Sequence, residues 1–136
     1  MQIIKMKKYY SIIVLLLFSC NKKIETEELQ KLNGYWQIEK VTFSNGQEKQ
    51  FNNNPALDYI EINDSLKGFK VKVVPTATEK FLTNGIKENF TITKNKLYYK
   101  THYTAWVEEI IVLNDSVFSV KNNEGKQYTY KKLQIQ

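Results

Sequence analysis

Two kinds of apolar pattern divide the chain. From Ile12 to Phe18 the apolar residues run without a break, Ile-Ile-Val-Leu-Leu-Leu-Phe. From Tyr35 onward they come in short runs that alternate with polar residues. Asn, Asp and Gly punctuate those runs at the roughly 8–12-residue spacing of an all-β sandwich or barrel. Alternation of period two is the mark of a strand with one face buried. The pattern predicts strands near residues 35–43, 57–63, 68–74, 78–83, 87–93, 96–104, 106–113, 116–121 and 127–133. Between them stand Asn45-Gly46, Asn63-Asp64-Ser65, Asn84-Gly85, Lys94-Asn95, Asn114-Asp115-Ser116 and Asn122 to Gly125. These residue types tolerate the positive φ of tight hairpins.

After residue 33 no stretch has a helical period, so a parallel sheet with crossover helices is excluded. An antiparallel meander remains, and closing it into a barrel removes its exposed edges. Just before the first strand, Thr26 is placed to cap a short helix. Glu27 and Glu28 suit its first turn, Leu29 and Leu32 share one face, and Asn33-Gly34 stops it. The segment Ile60 to Leu66 parallels Ile111 to Val117, with Asn-Asp-Ser at the centre of each. One Asp per loop falls far short of the six to eight oxygens that calcium takes, so two hairpin turns of one design are expected. A barrel of about eight strands either fills its own centre or keeps room for one small ligand. The inward set is expected to include Trp36, Ile38, Phe69, Val71, Val73, Phe90, Ile92, Tyr99, Tyr103 and Ile111.

The continuous run has another meaning. Lys5, Lys7 and Lys8 precede it, and Ser19-Cys20 follows it. Basic, apolar and small-residue regions in that order make a secretory signal. The run is too short to span a bilayer, which takes about 20 residues. The organisation expected is a signal over residues 1–19, Cys20 and a tether over 20–30, and one β domain over 31–136. Met1 and Met6 both precede the run, and either could be the start of translation.

Composition changes the picture in three places. First, the net charge of +6 overstates the basicity of the domain. Three of the 20 basic residues lie in the signal, which leaves 17 against 14 acids, or +3. All 20 are Lys. Without Arg, the side chain best suited to bidentate phosphate and guanine contacts is missing, and nucleic acid is an unexpected partner. Second, Cys20 is the single cysteine, so the domain forms no internal disulfide. Third, His102 is the single histidine. No Gly-x-Ser-x-Gly elbow accompanies it, and zinc needs three or four ligands. No catalytic residue, metal or cofactor is expected, and His102 is read as exposed. Glu108 and Glu109 are strand neighbours that face opposite ways, so they cannot act as an acid/base pair. The aromatic stretch from Tyr98 to Trp106 is the most suited to binding. Tyr99, Tyr103, Trp106 and Glu108 are the candidate ligand contacts.

Leu17-Phe18-Ser19-Cys20 resembles the lipobox of bacterial lipoproteins, with Phe18 bulkier than usual at its position. The resemblance implies a thioether-linked diacylglyceryl group on Cys20, cleavage before it, and acylation of the new amine. Two or more acyl chains hold a protein stably on a membrane where one does not. Gly34-Tyr35-Trp36 resembles the Gly-x-Trp motif of lipocalins. That family implies an eight-stranded up-and-down barrel with the Trp at its closed end and a short helix before it. A basic residue from the last strand packs over the Trp ring; here Lys131 and Lys132 are the candidates, where the family prefers Arg. The whole resembles the small lipocalin-like lipoproteins of Bacteroidetes. It implies an anchored protein that binds a small apolar molecule, or an accessory lipoprotein docking on an outer-membrane complex. Asn21-Lys22-Lys23, in place of an acidic stretch after the cysteine, implies the periplasmic face of the outer membrane.

Overall fold

The computed structural model describes residues 23–134 apart from Glu79. The expectations for the signal, Cys20 and the two methionines lie outside the described residues. A single turn of helix, α1 (Thr26–Leu29), runs into a 3-10 turn, Gln30–Leu32. Ten strands follow: β1 (Gly34–Thr42), β2 (Glu48–Gln50), β3 (Leu57–Ile62), β4 (Lys67–Pro75), β5 (Phe81–Thr83), β6 (Glu88–Thr93), β7 (Lys96–Lys100), β8 (Ala105–Leu113), β9 (Val117–Lys121) and β10 (Gln127–Leu133). Eight of them pair antiparallel in the order β10-β9-β8-β7-β6-β4-β3-β1, and β1 pairs back with β10 to close the barrel. The other two are three-residue additions, β2 on β1 and β5 on β4.

The turns follow the side-chain chemistry that marked them. Lys94 and Asn95 both take positive φ, 50° and 65°, in the two-residue hairpin between β6 and β7, as a type I′ turn requires. Asn63 Oδ1 accepts from the amides of Ser65 and Lys67, and Asn114 Oδ1 from those of Ser116 and Val117. The two Asn-Asp-Ser segments are therefore not copies of one turn, as expected, but two different turns: the Asn63 amide donates to the Lys67 carbonyl with Leu66 at a φ of 59°, whereas the Asn114 amide donates to the Val117 carbonyl, one residue sooner. Asn122 repeats the Asn63 turn, its Oδ1 accepting from the amides of Glu124 and Lys126.

The main core fills the barrel. It joins Trp36, Ile60, Ile62, Phe90, Ile92, Leu97, Tyr99, Ile110, Phe118 and Val120 to Leu29 and Leu32 of the helical segment. α1 packs across one pole and closes it. Thr26 is its first helical residue rather than its cap; Glu25 holds the cap position without a side-chain hydrogen bond. The Trp36 indole N–H donates to the Leu32 carbonyl at 2.8 Å, and Asn33 Oδ1 accepts from the Ile62 amide at 2.7 Å. Lys132 completes this pole. Its ammonium lies 5.2 Å from the centre of the Trp36 ring and donates to the Lys31 carbonyl at 3.0 Å. Burial pushes its pKa below the usual lysine value. Lys131 is exposed and takes no part, because only Lys132 shares a face with Trp36. Gly34 makes room for this contact. Its φ is +131°, and a Cβ there would stand 2.9 Å from the Lys132 stem.

Several inward expectations need correction. Phe69, Val71 and Val73 face outward. They form a second cluster on the outer wall with Leu57, Tyr35, Tyr59, Phe81 and Leu133. On β4 it is Gly68, Lys70 and Lys72 that share a face with the interior positions Ile62, Ile60 and Asp58. Ile111 is also outside, because β8 carries an irregularity at Ile110/Val112 and Ile110 takes the buried place. The strand expected over 96–104 ends at Lys100. Thr101 turns the chain there, its hydroxyl and amide bonding to Thr104. The strand expected over 78–83 shrinks to β5, and β2 was not foreseen.

Candidate functional site

The pole opposite α1 is open, and its concave surface is a cleft of about 400 Å³. Lys70, Trp106, Val107, Glu108, Tyr128 and Tyr130 line it, together with residues 122–124 of the β9–β10 loop. That volume is in the range of small-molecule sites. Below it Trp36, Asp58, Ile60, Tyr99, Phe118 and Val120 come so close that no water-sized space remains. The centre of the barrel is thus packed, and the room is at the mouth. Depressions of similar volume occur on the outer wall, one of about 460 Å³ beside Glu61, Lys67, Phe69 and Asn89. The mouth cleft differs from that depression in leading onto buried charged groups.

Strand parity positions those groups. Trp106, Glu108 and Ile110 share one face of β8 and Glu109 takes the other, so Glu108 is 8% exposed while Glu109 lies in solvent. Tyr99 pairs with Trp106 across β7 and β8, and their rings stack at 4.8 Å, 5° from parallel. Lys70 reaches in from β4, its ammonium 5.1 Å from the Tyr99 ring centre and 4.0 Å from Glu88. Asp58 on β3 is 3% exposed. Its Oδ1 is 2.8 Å from Lys72 Nζ, an ion-pair contact whose angle leaves that oxygen without a hydrogen bond.

Burial raises the pKa of Glu108 above the usual carboxylate value. The Lys70 charge and the nearby Trp106 indole pull it back only in part, and Glu88 and Asp58 add to the rise. Burial also lifts Tyr99 and Tyr130 well above the ordinary phenol value, so both hydroxyls stay neutral. The set offers aromatic faces, one ammonium and one under-compensated carboxylate, with no activated nucleophile beside them. It is equipped to hold a molecule. Among the described residues no three of His, Cys, Asp or Glu gather to hold a metal ion.

Of the expected contacts, the structure brings Tyr99, Trp106 and Glu108 together. Tyr103 is not among them. It is 97% exposed on the β7–β8 turn, with His102, also exposed, beside it. Sequence reasoning missed Lys70, Asp58 and Tyr130. A signal existed for Asp58, a lone acid in Ala-Leu-Asp-Tyr-Ile.

A closed eight-stranded antiparallel barrel, shut by a helix beneath Gly-x-Trp and open at the other pole, is the architecture of lipocalin-like proteins. The family model for the lipocalin-like domain matches residues 32–120, and the chain belongs to that family. Two solved structures share the fold. A lipocalin-like protein from Bacteroides uniformis is 10% identical with a TM-score of 0.53, over 76% of this chain and 99% of that one. An uncharacterized protein from Bacteroides eggerthii is 8% identical with a TM-score of 0.54, over 75% and 99%. Comparison with curated protein sequences finds no match.

Proposed function

We propose that this chain is a non-catalytic binding protein that holds a small, largely apolar molecule at the open end of its barrel. The mouth cleft carries the reading: aromatic walls around a few buried polar groups, above a packed floor, are the usual composition of a small-molecule site. The proposal extends to an anchor at acylated Cys20, on the periplasmic face of the outer membrane. Its support is the order of basic, apolar and Leu-Phe-Ser-Cys segments in the sequence. The position of α1 supports it as well. An anchor just upstream of Thr26 attaches at the closed pole and leaves the mouth facing away from the bilayer.

Native mass spectrometry of the full chain released gently from membranes should show a retained small molecule that Trp106→Ala loses. A barrel that is bare in every preparation, with no ligand taken up from a panel of apolar compounds, would refute the binding reading. For the anchor, Cys20→Ala should abolish incorporation of labelled palmitate, and labelling that persisted would rule it out.

The second reading is an accessory lipoprotein that docks on an outer-membrane complex. It draws on Leu82 of β5, on Ile86, each 64% exposed, and on Tyr103 of the β7–β8 turn, all at the open pole. A photo-crosslinker in place of Tyr103 that captured one defined envelope protein would favour it.

A further inference from the structure

We propose that the mouth cleft selects an organic cation, a small amine whose ammonium meets Glu108 while its apolar body lies against Trp106, Tyr128 and Tyr130. This inference rests on the reading of the mouth as a ligand site and names the class of ligand.

The charge inventory of the interior carries the argument. The groups facing Glu108 are Lys70 from β4, Glu88 from β6, Asp58 from β3, Tyr99 from β7 and Tyr130 from β10. Two are acids, two are phenols held neutral, and one is a cation. That cation is already engaged, by Glu88 at 4.0 Å and by the Tyr99 ring at 5.1 Å. Lys72, an exposed side chain nearer the open end of β4, is drawn to Asp58 at 2.8 Å, and the Asp58 Oδ1 still lacks a hydrogen bond. The buried carboxylates therefore outnumber the ammonium groups free to serve them. Burying a charge without full compensation is costly, and the raised pKa of Glu108 reports that cost. An incoming ammonium would relieve it. The walls suit the same ligand, since aromatic faces attract cations, more strongly where water is excluded. A carboxylate ligand would set like charge against Glu108 and Asp58. A neutral alcohol would gain the walls but not the ion pair.

Three probes of one shape test this: phenethylamine, 2-phenylethanol and phenylacetate. Each is titrated calorimetrically into the full chain in neutral detergent, with empty micelles as blank. The amine should bind at least tenfold more tightly than the alcohol, and phenylacetate more weakly than either. Glu108→Gln should cost the amine at least tenfold and leave the alcohol unchanged. The same variant should melt higher than the parent at pH 7. Glu108 has its folded pKa raised, so the parent loses stability as pH climbs through that pKa. The advantage of the variant should therefore vanish as pH falls below the ordinary carboxylate range. Gain in stability with loss of amine affinity marks a residue kept for binding.

Equal affinity for amine and alcohol, preference for phenylacetate, or unchanged amine binding in Glu108→Gln would overturn the inference and leave the mouth as a site for another ligand. Failure of all three probes, with a barrel bare in mass spectrometry, would remove the broader reading too. The probe comparison needs no variant, so it decides the matter even if Glu108→Gln folds poorly.

Discussion

Trp36→Ala should destabilise the barrel by about 3–5 kcal/mol, the usual loss on truncating a large buried aromatic. Trp36 has no exposed surface. It sits where three parts of the chain meet: Phe118 from β9, its ring 5.4 Å away, the Leu32 carbonyl from the helical segment, and the Lys132 ammonium from β10. Alanine would leave a cavity, strip the Leu32 carbonyl of its donor, and leave Lys132 without the ring it covers. Set against a total stability of about 5–15 kcal/mol for a domain, that loss brings the variant close to unfolding at ordinary temperature. Urea denaturation followed by circular dichroism measures it. Trp36→Phe should fall between the two, because it keeps most of the volume but not the N–H. A shift under about 1 kcal/mol for the alanine variant would mean that the closed pole is not held from this residue.

Gly68→Ala should cost about 3 kcal/mol or more, at the upper end of what overpacking does. A Cβ on Gly68 would stand 2.2 Å from the Glu61 carbonyl oxygen, 2.9 Å from the tip of the Phe90 ring and 3.0 Å from the Ile62 Cα. Side chains can turn aside, but a carbonyl in a paired strand moves only if β3 and β4 part. Gly68 is thus where the Phe90 ring lies against bare backbone. Combining Gly68→Ala with Phe90→Leu should recover the smaller, side-chain share and leave most of the loss. Full recovery in the double variant would place the strain in the ring instead of the backbone.

The strands were legible in the sequence because period-two alternation and Asx turns are local properties. Their facing was less so, and β4 shows why. Lys-Gly-Phe-Lys-Val-Lys-Val alternates cleanly, yet alternation says which residues share a face, not which face is inside. The usual assumption puts Phe69, Val71 and Val73 in the barrel. Phe81 of β5 joins an apolar cover on the outer wall, so Lys70 goes in and Lys72 reaches solvent from the same face. Tyr103 failed for a different reason. Thr101 and Thr104 have side chains that suit a strand, but the Thr101 hydroxyl competes for backbone partners and ends β7 early. Glu108 was read correctly as one of two opposed acids, and only the register with Tyr99 and Lys70 settles which of them is inside. Lys132 could have been chosen over Lys131 by parity with Trp36, had the β1–β10 register been known. That pairing joins residues about a hundred positions apart, and nothing local encodes it.

The same pairing sets an order of events for a growing chain. β1 meets β10 from Tyr35–Leu133 to Thr42–Gln127, so the barrel cannot shut until the last strand has been made. Until then β1 and β9 present unpaired edges, the kind of surface that recruits other chains. Neighbouring hairpins can form early, since their partners are close in sequence, but closure waits for a contact of the longest range in the fold. The interval between the synthesis of β1 and the arrival of β10 is therefore the period of greatest exposure to aggregation. A chaperone that held the chain extended over that interval would protect it without having to recognise the finished barrel.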